Sequence, residues 1–186
     1  MKDLFRGELV RLTSEEPEVR AKHEVNWQRD TEFHRLADSD PAELNSEKKI
    51  KAWIDKNVEG GFNPARYPFS IRTLDDDKLI GFVGLWLDLV HSEAWIGIGI
   101  GDRDHWGKGY GTDAMRLALQ YAFMELGMQR VSLGLHAYNA RALKSYEKAG
   151  FRLEGRTRQD MLREGKRTDS LWMGILREEW LVLQNG

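Results

Sequence analysis

The stretch that decides the fold is "IGIGIGDRDHWGKGYGTDAM", residues 96–115, which holds six of the 18 glycines in the chain. A glycine inside a regular element costs about 0.5–1 kcal/mol relative to alanine, so this concentration indicates a need for space beside the backbone. Isoleucine and glycine alternate up to Gly101, which is the two-residue period of a strand. Glycines then continue to Gly111, where a helical pattern begins, so the stretch predicts a strand, an open loop and a helix N-terminus.

The alternation also separates the two faces of the predicted strand. Ile96, Ile98 and Ile100 would share one face, because successive side chains point to opposite sides. The other face would be bare at three glycines, which are Gly97, Gly99 and Gly101, with Trp95 at its head. We therefore expect a ligand to lie close to this strand. The alternative is a tight strand-to-helix turn with the strand packed closely on a helix. The N–H groups of the loop and of the helix N-terminus would form an anion site without side-chain charge.

Hydrophobic periodicity outside this stretch predicts a mixed α/β domain. Strands are predicted at 8–14, 67–74, 78–89, 94–101, 130–138, 151–162 and 166–176, and helices within 17–60, at 110–126 and at 139–149. Asn139 would cap the last of these helices and Gly150 would end it. The order is an antiparallel meander followed by a strand–helix–strand crossover, which predicts an α/β (α+β) mixed sheet.

Length and composition limit the classes of function. The 186 residues fit one domain. A net charge of −2 means that the chain has no excess of positive charge with which to bind nucleic acid or an anionic membrane. The absence of cysteine excludes disulfides, thiolate metal sites and a cysteine nucleophile. The N-terminus "MKDLFRGELV" lacks the apolar run of a signal peptide, and no 18-residue apolar stretch is present. We expect a soluble, cytoplasmic protein with no nucleic-acid or membrane partner.

Two common nucleotide-binding motifs match the glycine loop poorly. A Walker loop requires a hydroxyl residue after its lysine, but Lys108 is followed by Gly109. The dinucleotide fingerprint is met by Gly109, Gly111 and Ala114, yet the next strand, "LGLHAYN", has no acidic residue for a ribose. That fingerprint should also not follow three antiparallel strands. Neither motif therefore explains the glycine loop well.

The loop and the segment after it resemble the GNAT superfamily of acyl-CoA-dependent N-acetyltransferases. The family's loop motif, Q/R-x-x-G-x-G/A, falls on Trp106, Gly109 and Gly111. The positions of its next motif, N-x-x-A-x-x-x-Y-x-x-x-G-F, are Asn139, Ala142, Tyr146, Gly150 and Phe151. The resemblance continues through "EGRTR", Asp169, "WMGIL" and "REEW", and it covers nearly all of 79–180. Within the superfamily the chain looks most like the RimJ/RimL type of ribosomal-protein N-terminal acetyltransferase.

The resemblance implies one GNAT domain over 1–186, with a sheet of six to seven strands flanked by about four helices. It assigns 94–150 to the acetyl-CoA side, and 15–65 with 155–176 to the acceptor side. It implies acetyl-CoA as cosubstrate and no metal. The expected contacts to coenzyme A are Ile98, Ile100, Trp106, Gly107, Lys108, Gly109, Tyr110, Gly111, Thr112 and Asn139. The pyrophosphate would bind the loop amides and the pantetheine arm would pair with the strand. Lys108 is alternatively a solvated loop residue.

Tyr146 falls on the family's general-acid position. A phenol with a pKa of about 10 is protonated at neutral pH, so it can give its proton to the departing thiolate. The alternative is an aromatic side chain packed beneath the sheet.

The base is where the chain departs from the resemblance. Many members of this branch carry an acidic residue directly after the alanine that opens the strand, and that position is Trp95 here. Glu93 lies two residues earlier on the same face and would reach the amine through water. Asp88, His91 and His136 remain alternatives, as does a water chain to solvent with no dedicated base.

Acceptor specificity is expected from the N-terminal helices and the last hairpin. Aromatic candidates for that pocket are Trp27, Phe33, Tyr67 and Trp86, which alternatively belong to the core. Asp160 and Asp169 would hold a cationic acceptor. A protein N-terminus, a polyamine, an amino sugar and other small amines all remain open, as does a homodimer. The competing function is a non-catalytic acyl-CoA-binding or sensing module on the same fold.

Overall fold

The computed structural model describes residues 3–57 and 63–185, so the end of the predicted helical run near Gly60 lies outside the described residues. The elements are β1 (Val10–Thr13), α1 (Pro17–Arg29), α2 (Thr31–Ala37), α3 (Glu47–Asn57), β2 (Arg66–Thr73), β3 (Leu79–Asp88), β4 (Glu93–Ile100), α4 (Tyr110–Gln120), β5 (Arg130–His136), α5 (Ala140–Ala149), β6 (Arg152–Arg163), β7 (Lys166–Leu176) and α6 (Arg177–Gln184). A 3₁₀ turn precedes α4 and a π-helical turn follows it. None of the helices within these residues is long and apolar enough to cross a membrane.

The strands form one seven-stranded sheet in the order β1-β2-β3-β4-β5-β7-β6. Only β4 and β5 are parallel, because α4 carries the chain back across the sheet between them. The predicted mixed sheet is confirmed, as are the cap at Asn139 and the left-handed stop at Gly150. The predicted number of about four helices is too low, since the described residues contain six α-helices. The additional ones are a third N-terminal helix and α6.

The parallel pair β4–β5 is short. Its register joins Glu93 to Arg130, Ala94 to Val131 and Trp95 to Ser132, and no further pairs follow. The opposite edge of β4, by contrast, pairs with β3 along its whole length. Residues 96–100 therefore have a sheet partner on one side only. The two strands diverge beyond Trp95 and leave a gap in the middle of the sheet.

The main core lies on the face of the sheet that α4 and α5 cover. Alternate residues of the central strands face it, and α4 contributes Met115 and Leu119, both fully buried. Burying each such side chain stabilises the fold by about 1.5–3 kcal/mol. Trp180 of α6 packs its ring 5.4 Å from that of Phe123, which is why this short C-terminal helix is held in place.

The glycine face of β4 is less bare than the sequence predicts. A Cβ at Gly101 would lie 2.1 Å from the Trp27 ring, and one at Gly99 would lie 3.1 Å from the Phe33 ring. The prediction that Gly101 leaves room for a ligand is therefore wrong. Its missing side chain instead allows Trp27 of α1 to pack directly on the strand, where that tryptophan is buried.

Asp113, in the first turn of α4, fixes the N-terminal strand to the helix. Its Oδ2 accepts hydrogen bonds from the backbone N–H groups of Leu9 (2.8 Å) and Val10 (3.0 Å). The carboxylate is buried, and a negative charge at this end of a helix is favoured by the helix dipole. The contact therefore positions β1 beside the helix whose N-terminus borders the gap.

We predict that Asp113→Ala lowers the free energy of unfolding by roughly 2–3 kcal/mol, because it leaves the buried N–H of Val10 and the part-buried N–H of Leu9 without an acceptor. Denaturant unfolding followed by circular dichroism measures this loss. Asp75→Ala, at an exposed turn position, is the matched control. Equal stability of the two variants would contradict the anchoring role.

Candidate active site

A cavity of about 500 Å³ occupies the gap between β4 and β5. Its walls come from β4 at 96–100, the loop at 105–112, β5 at 134–136 and α5 at 139–148. Residues of α2 and Trp172 of β7 close its other end. Because residues from both faces of the sheet line it, the cavity passes through the sheet rather than lying on it.

The glycine loop forms an amide-lined cradle at one end of this cavity. Gly107 and Gly109 have φ of +71° and +98°, which is left-handed backbone that other residues rarely adopt. A Cβ at Gly107 would meet no atom within 4 Å, so the space above it is open. No side chain caps α4, and its first N–H groups have no partner inside the helix. This arrangement suits an anion such as a phosphate.

Trp106 connects the cradle to the end of β4. Its indole Nε1–H donates to the carbonyl oxygen of Ile100 at 2.5 Å. The Arg141 guanidinium lies 3.9 Å from the centre of the indole ring, and that of Arg103 lies 5.1 Å away. Asp30 at the start of α2 binds Arg103 through both carboxylate oxygens. Trp106 thus stacks with two cations beside the amide-lined cradle, and Arg141 lines the cavity itself.

Most of the expected coenzyme A contacts border the cavity. Those that line it are Ile98, Ile100, Trp106, Gly107, Gly109, Gly111, Thr112 and Asn139. Lys108 and Tyr110 do not line it, and the Tyr110 ring instead packs edge-on against His105 at 4.9 Å. Coenzyme A contacts remain a prediction for all ten residues.

Polar contacts at two places hold the cavity walls together. The Asn139 side-chain oxygen accepts from the N–H of Ala142 at 3.1 Å, and its amide donates to the carbonyl of Leu36 at 3.2 Å. Asn139 thereby ties α5 to α2. The hydroxyls of Thr112 and Ser145 lie 2.8 Å apart and tie α4 to α5.

Tyr146 of α5 borders the cavity. Its ring is half-buried, with one part on the cavity and the remainder packed against the main core. Desolvation raises the pKa of the phenol to about 12, so the hydroxyl keeps its proton at neutral pH. No protein group in 3–57 or 63–185 hydrogen-bonds to this hydroxyl, which leaves it free to act on a substrate.

Glu93, the predicted base, does not line the cavity. Its Oε1 accepts from the Ser132 hydroxyl at 2.5 Å and from Arg130 Nε at 3.2 Å. Asp88 accepts the N–H groups of Val90 and His91 in the β3–β4 turn. None of Asp88, His91 and Glu93 borders the cavity, and the role of Glu93 stays a prediction.

His136 is the base candidate that lines the cavity. Its Nε2 lies 3.0 Å from the carbonyl oxygen of Asp38, and because a carbonyl can only accept, Nε2 carries the hydrogen. Nδ1 is then an unprotonated acceptor, and it has no partner among the described residues. Burial lowers the pKa of the imidazole below its ordinary value, so the ring is neutral at pH 7.

The predicted acceptor residues are dispersed. Phe33 lines the cavity, whereas the Tyr67 ring packs 5.7 Å from Tyr121 on the other side of the sheet. Asp169 binds Arg156 and the N–H of Gln159, so its charge is already matched. No aspartate or glutamate of the described chain lines the cavity. Sequence reasoning missed Arg141 and Trp172, whose roles depend on contacts between distant elements.

A family model for the acetyltransferase (GNAT) domain matches residues 7–152. The Bacillus subtilis protein named "Probable N-acetyltransferase YjcK" is 37% identical over 115 residues, which cover 61% of this chain and 63% of that protein. YdaF, also from Bacillus subtilis and named as a suggested ribosomal N-acetyltransferase, is 34% identical over 58% of each chain. Spermidine N-acetyltransferase from Vibrio cholerae, solved with CoA and spermine, superposes with a TM-score of 0.81 at 23% identity, over 92% of this chain and 98% of that one.

We predict that Gly111→Val weakens acetyl-CoA binding at least about tenfold, because a branched side chain at the helix N-terminus would crowd the anion. The fold should tolerate it, since φ at this position is not positive and a Cβ would lie 3.5 Å from Ile100. Gly109→Val is a poorer test because its left-handed backbone would be strained. Calorimetric titration with acetyl-CoA gives the dissociation constant.

The control for this prediction is Lys108→Ala, which changes loop charge without touching the cavity wall. Affinity that depends on Lys108 and not on Gly111 would contradict binding by backbone amides.

Proposed function

The chain belongs to the GNAT acetyltransferase family, and on that premise we propose that it transfers the acetyl group of acetyl-CoA to a primary amine. The observation that carries the proposal is the cavity between β4 and β5, which joins an amide cradle to a strand edge without a sheet partner. An extended substrate with a pyrophosphate at one end has the complementary shape.

We propose that acetyl-CoA is held mainly by backbone groups. The pyrophosphate would bind the N–H groups at 107–112, and the pantetheine amides would pair with the free edge of β4 near Ile98 and Ile100. Arg141, with Lys144 and Lys148 on the same wall, would add positive charge toward the nucleotide phosphates. The residues present therefore fit the substrate, although only the cradle and the strand edge are specific to its shape.

We propose direct attack of the amine nitrogen on the thioester carbonyl. A C–N bond forms, the C–S bond breaks, and the thiolate of coenzyme A departs. Tyr146 would give its phenolic proton to the sulfur, because it is the protonated acid on the cavity wall. The amine must be neutral to attack, because an ammonium nitrogen has no lone pair, and the nitrogen must then lose a second proton as the C–N bond forms.

Two residues are proposed for that second proton. Glu93 is the acceptor that the sequence motif suggests, acting through water, but its carboxylate is engaged by Arg130 and Ser132. His136 lines the cavity and keeps Nδ1 unprotonated, but Nδ1 is buried, so the ring would have to turn for this atom to take the proton. A water chain to solvent is the third route.

The finer assignment to the RimJ/RimL-like branch is also proposed, with a protein N-terminus or a small amine as acceptor and a cytoplasmic location. The name of YdaF supports a ribosomal acceptor, and the spermidine acetyltransferase supports a small amine. The absence of a carboxylate among the described residues that line the cavity is the observation behind the competing non-catalytic role. Thiol release from acetyl-CoA in an amine and peptide screen separates the two, because a binding module would bind acetyl-CoA without turnover.

We predict that Tyr146→Phe lowers kcat at least ~30-fold, because it removes an acid that typically contributes about 10²–10⁴-fold. Acetyl-CoA affinity and melting temperature should change little, since the ring and its packing are kept. Steady-state kinetics and thermal unfolding measure both. Tyr121→Phe, at a tyrosine that packs against Tyr67 and Phe69 and does not line the cavity, is the matched control. Normal kcat with reduced stability would make Tyr146 a packing residue.

We predict that His136→Gln lowers kcat/KM at least ~10-fold near neutral pH and less at high pH, where the amine is already neutral. Because the pKa of His136 is lowered, the wild-type base stays active at pH 7 and is lost only as the pH falls below that pKa. Rate profiles between about pH 6 and pH 9 for this variant and for Glu93→Gln decide between the two residues. A loss of kcat/KM confined to Glu93→Gln would make Glu93 the base, as the sequence predicts. No loss of kcat/KM in either variant would assign the proton to solvent.

A further inference from the structure

Three tryptophans on the glycine face of the sheet are unusually exposed. Trp86 of β3, Trp95 of β4 and Trp172 of β7 have 45%, 43% and 40% of their surface accessible. Together they form a tryptophan row across β3, β4 and β7, with β5 between the last two strands. Large aromatic side chains grouped on an open surface commonly mark a binding site.

The tryptophan row frames the opening of the β4–β5 gap. Trp86 and Trp95 are direct partners in the β3–β4 register, and Trp95 belongs to the last β4–β5 pair. The Trp86 ring lies 3.1 Å from where a Cβ of Gly97 would be, and the Trp172 ring lies 2.8 Å from that of Gly134. Gly97 and Gly134 each come two residues beyond the last β4–β5 pair, which is Trp95 with Ser132. One ring therefore covers each side of the opening, and Trp95 stands at its closed end.

The row is held in place rather than being loosely exposed. Trp172 Nε1–H donates to the Thr157 hydroxyl at 2.8 Å, which fixes that ring. The Trp95 and Trp172 rings meet edge to face with centroids 5.9 Å apart. Gly134 allows the Trp172 ring to lie flat on the sheet, because any side chain there would clash with it. Trp172 also lines the cavity, so the row is continuous with the proposed acetyl-transfer site.

The charges around the row argue against a polycationic acceptor. The cavity wall of the described chain, to which Trp172 belongs, carries no carboxylate. Glu93 and Glu154 near the row both bind Arg130. Recognition at this end of the cavity therefore depends on aromatic faces and not on acidic side chains.

We propose that the tryptophan row is the acceptor site and that the acceptor is a primary amine joined to an aromatic ring by a short alkyl chain. The ring would stack among Trp86, Trp95 and Trp172 while the amine enters the gap between Gly97 and Gly134. This inference rests on the proposed acetyl transfer. A small arylalkylamine and a peptide beginning with an aromatic residue present the same chemistry.

The test compares acceptors on the wild-type protein and on two variants, Trp86→Leu and Trp172→Leu. Thiol release is measured with phenethylamine, a phenylalanine-initiated peptide, butylamine and spermidine. We expect kcat/KM to be highest for one of the two aromatic amines, and the better one identifies the source. Each variant should raise KM for that amine about tenfold more than it raises KM for butylamine, because butylamine has no ring to stack on the tryptophans. Trp53→Leu, at an exposed tryptophan of α3 outside the row, is the matched control.

Calorimetric binding of phenethylamine to the complex with CoA gives a readout that does not need turnover. Binding that Trp172→Leu abolishes, with no turnover of any amine, would overturn the proposed function while supporting the row. A preference for spermidine or butylamine, or variants that behave like Trp53→Leu, would overturn the row and leave acetyl transfer intact. A dimer that Trp86→Leu converts to monomers in light scattering, with unchanged KM, would assign the row to a second copy and overturn the proposal.

Discussion

The early end of the parallel pairing between β4 and β5 is the constraint on which the rest of the structure depends. After three residue pairs the strands diverge, and the edge of β4 along 96–100 loses its sheet partner. Unpaired backbone groups in the middle of a sheet are costly unless something else satisfies them. An extended substrate with its own amide groups would do so, and the cavity in the gap gives it room. The site is thus a missing part of the sheet rather than a set of reactive side chains placed on it.

The glycines of the opening stretch serve two physical purposes. In the loop, Gly107 and Gly109 supply left-handed backbone, and the space beside Gly107 is open. In the strand, the absence of a side chain allows aromatic rings to pack on the backbone, as Trp27 does at Gly101. The first arrangement creates a place for an anion, and the second brings α1 and α2 onto the glycine face of β4. The concentration of glycine in this stretch therefore has two structural causes.

The sequence predicted the strand–loop–helix unit, the crossover and the last hairpin because their periods and turn residues are local signals. It underestimated the helices: α6 begins after Leu176, which is not a typical N-cap, and contact between Trp180 and Phe123 holds it. The cavity wall was largely predictable from the loop and α5 motifs. The contacts of His136 with Asp38 and of Trp172 with Gly134 were not, because they join elements distant in the chain. The prediction of an open face at Gly101 was wrong for the same reason, because the contact with Trp27 also joins distant elements.

Amide hydrogen exchange with and without acetyl-CoA is the most direct test of the central claim, because it reports on the backbone groups that should bind the substrate. The account predicts slower exchange at residues 107–112 and along the free edge of β4 at 96–100, with little change in β1 and β2. Unchanged exchange in both regions at saturating acetyl-CoA would contradict it. Protection confined to other elements would place the substrate outside the gap.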